Sequence, residues 1–231
     1  VELQFTSFNM SIAKNLNTIK TSIPGEVTLV AVSKTKPVDD LMEAYNAGQR
    51  IFGENKIQEM TDKQALMPED IEWHMIGHVQ RNKVKYMAPY VRLIHGVDNM
   101  KLLNEINKQA SKYGRVIDCL LQIKIASEAS KFGMTPAEAH HVLQSDSLVE
   151  LKNIKITGVM GMATFTDNKN QVKQEFNTLK QTFDALKTVK TDNCELRIIS
   201  MGMSGDYQLA IDCGSTMVRV GSSIFGVRNY G

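Results

Sequence analysis

A lysine closes an apolar run near the start of this chain, Thr28-Leu29-Val30-Ala31-Val32-Ser33-Lys34. Burying an ammonium is costly unless it is paired or loses its proton. A desolvated lysine is also the amine that forms Schiff bases with aldehydes. A lysine just past the strand end would instead snorkel to water, and the segment alone supports both readings. A second cation, Arg219, interrupts the apolar run Met217-Val218-Arg219-Val220. By itself it reads equally as a salt-bridged core or surface arginine. Two segments rich in glycine and serine accompany it, Ser200-Met201-Gly202-Met203-Ser204-Gly205 and Gly221-Ser222-Ser223. Small residues let backbone N–H groups approach phosphate oxygens, and Ser204 and Ser222 would add hydroxyl donors. The same residues also make ordinary turns. Asn55, in Phe52-Gly53-Glu54-Asn55, is either a ligand or the N-cap of the helix that follows. His74 and His78 are four apart, but Gly77 and a strand context spoil the helical geometry of a two-histidine metal site, so no metal is expected.

These residues need elements to position them. Short apolar runs, predicted as strands over 27–34, 50–52, 71–77, 91–97, 116–125, 154–160, 196–201 and 216–220, alternate with amphipathic stretches. Helices are predicted over 7–19, 38–47, 56–66, 80–88, 100–113, 170–189 and 206–211, with Gly48 and Gly114 as stop signals. A further helix opens at Thr135, with Thr135 as N-cap, Pro136 in the first position and Glu138 as the capping-box acid; it carries His140 and His141, read as solvated. Eight strands separated by helices call for parallel β-structure with crossover helices. At this length the expected fold is α/β, a single (β/α)8 TIM-type barrel with an extra N-terminal helix, occupying residues 1–231 as one domain. An open doubly wound sheet is the alternative, and no GxGxxG follows the first strand to support it.

Composition narrows the partners. A formal charge of +2 and the lack of long like-charge runs argue against nucleic acid. No stretch approaches the roughly 18 apolar residues of a membrane span, and Val1-Glu2-Leu3-Gln4 has no signal-peptide pattern. Cys119, Cys194 and Cys213 are widely spaced with no CxxC, which argues against a zinc ribbon or redox pair. Cys119 and Cys213 read as small core residues, and the reduced cytoplasm is the expected compartment. The expected state is a monomer.

In such a barrel the site forms at the C-terminal ends of the strands, and the loops after strands seven and eight often hold a phosphate. The fold therefore gathers Lys34, Asn55, Arg219 and both Gly/Ser segments at one mouth. Met160, Met162, Met201 and Met203 read as core filler or as apolar walls for a flat ring. An amine for an aldehyde, a cradle for a phosphate and a cation for a pyridine nitrogen together suggest pyridoxal 5′-phosphate (PLP).

At these residues the chain resembles the pyridoxal-phosphate homeostasis protein family, also described as proline synthetase co-transcribed homologues. The matching segments are Ala31-Val32-Ser33-Lys34-Thr35-Lys36-Pro37, Phe52-Gly53-Glu54-Asn55 and Trp73-His74-Met75-Ile76-Gly77-His78-Val79-Gln80-Arg81-Asn82-Lys83. Near the end come Ser200-Met201-Gly202-Met203-Ser204, Gly214-Ser215-Thr216-Met217-Val218-Arg219-Val220-Gly221 and Ile224-Phe225-Gly226. The resemblance implies an alanine-racemase-type barrel with PLP on Lys34, Arg219 at the pyridine nitrogen, and phosphate contacts from Ser200, Ser204, Gly221 and Ser222. Ala129 and Phe132 depart from the family pattern around Lys131. That lysine reads as a solvated loop residue ahead of a secondary PLP contact.

Arginine has no acceptor for a pyridinium proton, so Arg219 would leave the ring a weak electron sink. The barrel racemases that the chain resembles also place an arginine there. They add a β domain that supplies a second base, and few residues follow Phe225 here. The expected function is therefore a PLP carrier or regulator in intracellular PLP homeostasis, with no catalytic residue assigned. Delivery to apo PLP-dependent enzymes is implied by the resemblance alone. The alternative is an amino-acid racemase or decarboxylase working with a partner chain. A third class, a PLP-free barrel for another phosphate ester, fits the motifs less well.

Overall fold

The computed structural model describes residues 11–127 and 132–226. Helix α1 (Ile12–Ser22) precedes the barrel. The first half then runs β1 (Thr28–Val32), α2 (Val38–Asn46), β2 (Ile51–Glu54), α3 (Ile57–Gln64), β3 (Glu72–Met75), α4 (Val84–Met87), β4 (Leu93–Val97) and α5 (Met100–Ser111). The second half runs β5 (Ile117–Gln122), α6 (Pro136–Leu143), α7 (Asp146–Val149), β6 (Ile154–Met160), α8 (Lys169–Leu186), β7 (Cys194–Ser200), α9 (Tyr207–Asp212), β8 (Met217–Val220) and α10 (Ser222–Phe225). All eight strands are parallel, and β8 closes on β1 with Val30 level with Arg219.

Successive strand residues point to opposite faces. Val30, Leu93, Leu120, Met160 and Met217 fill the inside of the barrel, with Ile51, Ile76, Met162 and Ile198 packed against them. Their neighbours Leu29, Ala31, Phe52, Met75, Cys119, Ile199 and Val218 turn outward into the larger core beneath the helices. Counting in twos from the inner set leads to Val32 and Lys34 on the β1 side, Asn55 after β2, His74 on β3 and His95 on β4. It also leads to Gln122 on β5, Ser200 on β7, and Arg219 and then Gly221 on β8. The pleat alone thus aims these polar groups at the barrel axis near its C-terminal mouth.

The expected barrel and leading helix are present, and β6 has its predicted limits. Thr135 accepts from the Glu138 N–H and Glu138 caps it in return, as the capping box requires. The single helix expected over 80–88 is instead a 3-10 turn (Arg81–Lys83) followed by one turn of α4. Helices α7 and α10 were not anticipated, being four residues each and too short for periodicity to register. In its pairing with both β5 and β7, β6 shifts register between Ile156 and Gly158; at Gly158 a Cβ would drive into the Ile198 carbonyl. All three cysteines are buried and unpaired, Cys194 included. Among the described residues no helix is long and apolar enough to cross a membrane.

Candidate functional site

A cavity of about 580 Å³ opens at the C-terminal mouth of the barrel. Lys34, Asn55, Ser204, Arg219, Gly221 and Ser222 line it, together with Lys36, His78, Gln122 and Asp206. Ile76, Phe132, Met162, Phe165 and Met203 supply its apolar wall. Met160 and Met201 are core residues instead. Asn55 does not cap α3: the N-cap is Lys56, without a side-chain cap bond.

Ser200 is the one predicted contact outside the cavity lining. It is fully buried beneath Arg219, which donates to its Oγ at 2.6 Å and to the Gly161 carbonyl at 3.2 Å. Behind Ser200 stands His95, a residue the motifs did not single out. Its Nδ1 lies 3.0 Å from Ser200 Oγ, and its Nε2 lies 3.1 Å from His74 Nδ1. Arginine can only donate, so Ser200 Oγ accepts from Arg219. In the His95 tautomer protonated at Nε2, Ser200 donates its hydroxyl hydrogen to Nδ1 and Nε2–H donates to His74 Nδ1, so that every bond in the chain is made. Burial holds both rings neutral: His74 is pushed down to about 3, with Arg92 adding to the effect. His95 falls well below its ordinary value through burial, His74 and Arg219. Burial also lowers Arg219, to about 10, against the field of Asp206, so the guanidinium stays charged at neutral pH. A histidine inside Leu93-Ile94-His95-Gly96-Val97 was the available signal, since an apolar strand rarely carries one without a partner.

The loops after β7 and β8 interlock. Gly202 sits at φ 97°, where a Cβ would meet Ala210 Cβ at 2.6 Å and Tyr207 Cα at 2.9 Å, and its carbonyl accepts from the Arg219 N–H. Ser204 Oγ accepts from the Gly221 N–H at 3.1 Å, which leaves its own hydrogen to donate. Gly221 is the N-cap of α10 and brings no side-chain cap to it. This is the short extra helix after the eighth strand whose N-terminus favours an anion.

His78 stacks on Phe132, centroids 4.2 Å apart, and approaches Asp98 at 3.8 Å, while His74 points into the barrel. The two histidines do not converge, and among the described residues no cluster could hold a metal. His140 and His141 are exposed on α6. Lys131 lies outside the described residues.

Glu175 on α8 ties two loops at the mouth together. Its carboxylate accepts from the Thr164 N–H (2.6 Å), Thr164 Oγ1 (2.7 Å), Gln171 Nε2 (3.2 Å) and the Ser127 N–H (3.3 Å). Burial opposes its ionisation, but these donors outweigh burial and hold the carboxyl below its usual range. Its contribution is therefore present above the ordinary carboxylate pKa and is lost as pH falls through the lowered value. Glu175→Gln turns an amide toward one of these donors and should cost about 2 kcal/mol. Urea unfolding measures this cost, and faster hydrogen exchange at the Thr164 amide locates it.

Comparison with known proteins gives a consistent picture. The family model for the alanine racemase N-terminal domain matches residues 10–229. The pyridoxal phosphate homeostasis protein of Vibrio alginolyticus is 40% identical over 215 residues, spanning 90% of this chain and 89% of its own. That of Aquifex aeolicus is 38% identical over 203 residues, 87% of each chain. PipY of Synechococcus elongatus PCC7942 superposes with a TM-score of 0.87 without PLP, at 34% identity over 93% of this chain and all of that one. Its PLP-bound structure gives 0.84, at 33% identity over the same shares. Alanine racemase of Clostridium difficile, 16% identical with a TM-score of 0.75 over 94% of this chain and 56% of its own, shares the fold.

Proposed function

Since the chain belongs to the pyridoxal phosphate homeostasis protein family, we propose that it holds PLP as a Schiff base on Lys34 and serves in PLP homeostasis without turnover. The observation that carries this reading is the meeting of Lys34 and Arg219, from opposite ends of the sequence, in one cavity with Ser204, Gly221 and Ser222. The residues fit the cofactor part by part. Lys34 offers the amine, which condenses with an aldehyde and releases water. The uncapped start of α10 and the Ser204 hydroxyl suit a phosphate. Ile76, Met162 and Met203 offer apolar faces to a flat ring, and Arg219 offers a donor to a ring nitrogen. Bound PLP supplies a reactive aldehyde and an electron-withdrawing ring. Arg219 works against the second property, because a charged donor beside the nitrogen opposes its protonation. Ser200 then acts indirectly, fixing the guanidinium from below.

Holding without turnover is supported by the names of the relatives, which are homeostasis proteins; Arg219 fits it but does not separate it from turnover, since the racemases place an arginine there too. In the proposed role the protein is a cytoplasmic monomer that limits free aldehyde and passes PLP to apo PLP-dependent enzymes. To test it, the loaded protein is incubated with L- and D-amino acids in deuterium oxide. The expected result is no α-carbon exchange above that of free PLP, together with transfer to an apo-enzyme faster than release into buffer. Catalytic, stereorandomising α-exchange would overturn it in favour of a racemase.

A further inference from the structure

The turn that presents Lys34 is held from behind by a buried ionic cluster outside the cavity. Lys36 N–H donates to the Ser33 carbonyl at 3.1 Å, closing a four-residue turn with Lys34 and Thr35 at its centre. Thr35 has φ 62°, at a turn position that normally calls for glycine. A β-branched residue there is an outlier that persists only where the surroundings over-determine it.

The surroundings do so on both sides of Lys34. On one side Ser33 Oγ donates to Glu54 Oε1 at 2.6 Å. On the other, the Thr35 N–H donates to Glu59 Oε1 at 2.6 Å. Lys63 of α3 joins the two sides: its ammonium donates to the Ser33 carbonyl, Glu54 Oε1 and Glu59 Oε1, each at 2.7 Å. Lys63 and Glu54 are both buried. An ammonium has three hydrogens, and these three bonds commit all of them. Lys63 is thereby excluded as an aldehyde-capturing amine and suited to a purely geometric task. A buried cation also needs the two carboxylates, just as they need it.

We propose that Lys63, with Glu54 and Glu59, is a positioning residue for Lys34: it locks the Ser33–Lys36 turn so that the Lys34 amine enters the barrel mouth in one orientation. The inference rests on the reading of Lys34 as the PLP-binding amine. Glu59 and Lys63 stand at i and i+4 on α3, the spacing of an ordinary helix ion pair; only the fold brings the Ser33 carbonyl and Glu54 to the same ammonium.

Two readouts test it. In the unliganded protein, competitive acetylation by acetic anhydride across pH, read by mass spectrometry, follows Lys34 against exposed lysines. In the presence of PLP, titration gives the affinity. Lys63→Met strands two carboxylates and is expected to lower stability. Glu59→Ala, at a partly exposed position, is the variant that keeps the fold, and its melting temperature is recorded alongside. Glu59→Ala should change the Lys34 acetylation profile and weaken PLP binding about tenfold. Glu59→Gln keeps an acceptor for the Thr35 N–H and should restore most of both. Unchanged acetylation and affinity in folded Glu59→Ala would overturn the proposal. Failure of the Lys34 reading itself is distinguishable: the wild type would then bind no PLP at Lys34, while the acetylation profile of the unliganded protein would still respond to Glu59→Ala.

Discussion

Replacing Arg219 with methionine should raise the stability of the unliganded barrel and weaken its hold on PLP. The guanidinium is buried and, among the described residues, meets neutral acceptors alone at hydrogen-bond distance, Ser200 Oγ and the Gly161 carbonyl. Its pKa falls from 12.5 to about 10 through burial. For a base whose folded pKa is depressed, the charged form is disfavoured in the fold. At neutral pH, where both states are charged, that is a penalty on the order of 3 kcal/mol. A flexible apolar side chain removes the penalty. Leaving the Gly161 carbonyl and Ser200 less well paired returns about 1–2 kcal/mol of it. The net gain should raise the melting temperature by about 2–4 °C per kcal/mol. On the proposed reading PLP would lose a charge-assisted donor, and its affinity should drop about 10–100-fold. Calorimetry of the unliganded protein and PLP titration measure the two effects. A variant that melts lower and binds PLP as tightly as the wild type would show that Arg219 serves the fold and not the ligand.

The second large effect is acid sensitivity. His74 and His95 are buried as neutral rings, with folded pKa values far below 6.5. The unfolded chain takes up their protons below about pH 6.5, whereas the folded chain does not. Their cost is therefore absent above that pH and accumulates as pH falls toward the folded values. The loss should approach about 1.4 kcal/mol per pH unit for each ring. Glu175 adds to it at lower pH, once its own carboxyl is protonated. Glu54 acts in the opposite sense, because burial raises its carboxyl against the pull of Lys63. The urea midpoint should decline steeply between pH 6.5 and 4.5. His95→Gln keeps a neutral hydrogen-bonding side chain and should remove up to half of that slope. A midpoint that is flat across this interval would show that the rings are protonated within the fold.

The barrel was readable because its determinants are local. Eight apolar runs of strand length, separated by amphipathic stretches, leave little choice of architecture, and period-two counting from Val30 and Met217 points Lys34 and Arg219 to the same axis. The cavity-lining glycines and serines were readable from their place after strands seven and eight. What escaped notice depends on contacts between distant segments. His95 matters only because Ser200 and His74 lie beside it, on strands β7 and β3. Glu54, at the end of β2, acquires its role only because α3 places Lys63 over it. Ser200 shares its segment with Ser204, yet strand parity buries it under Arg219 while Ser204, in the loop, reaches the cavity. Asn55 could be read as a cap or a ligand, and only the start of α3 at Ile57 removes the capping role.

The central claim concerns one amine. The loaded protein is treated with borohydride, digested and mapped by mass spectrometry, with Lys34→Ala treated in parallel. The account predicts a yellow wild-type protein whose colour is lost on reduction, with the PLP mass fixed on the peptide carrying Lys34 and no fixed adduct in Lys34→Ala. A reducible adduct retained at the same site in Lys34→Ala, or mapped to another lysine in the wild type, would contradict it.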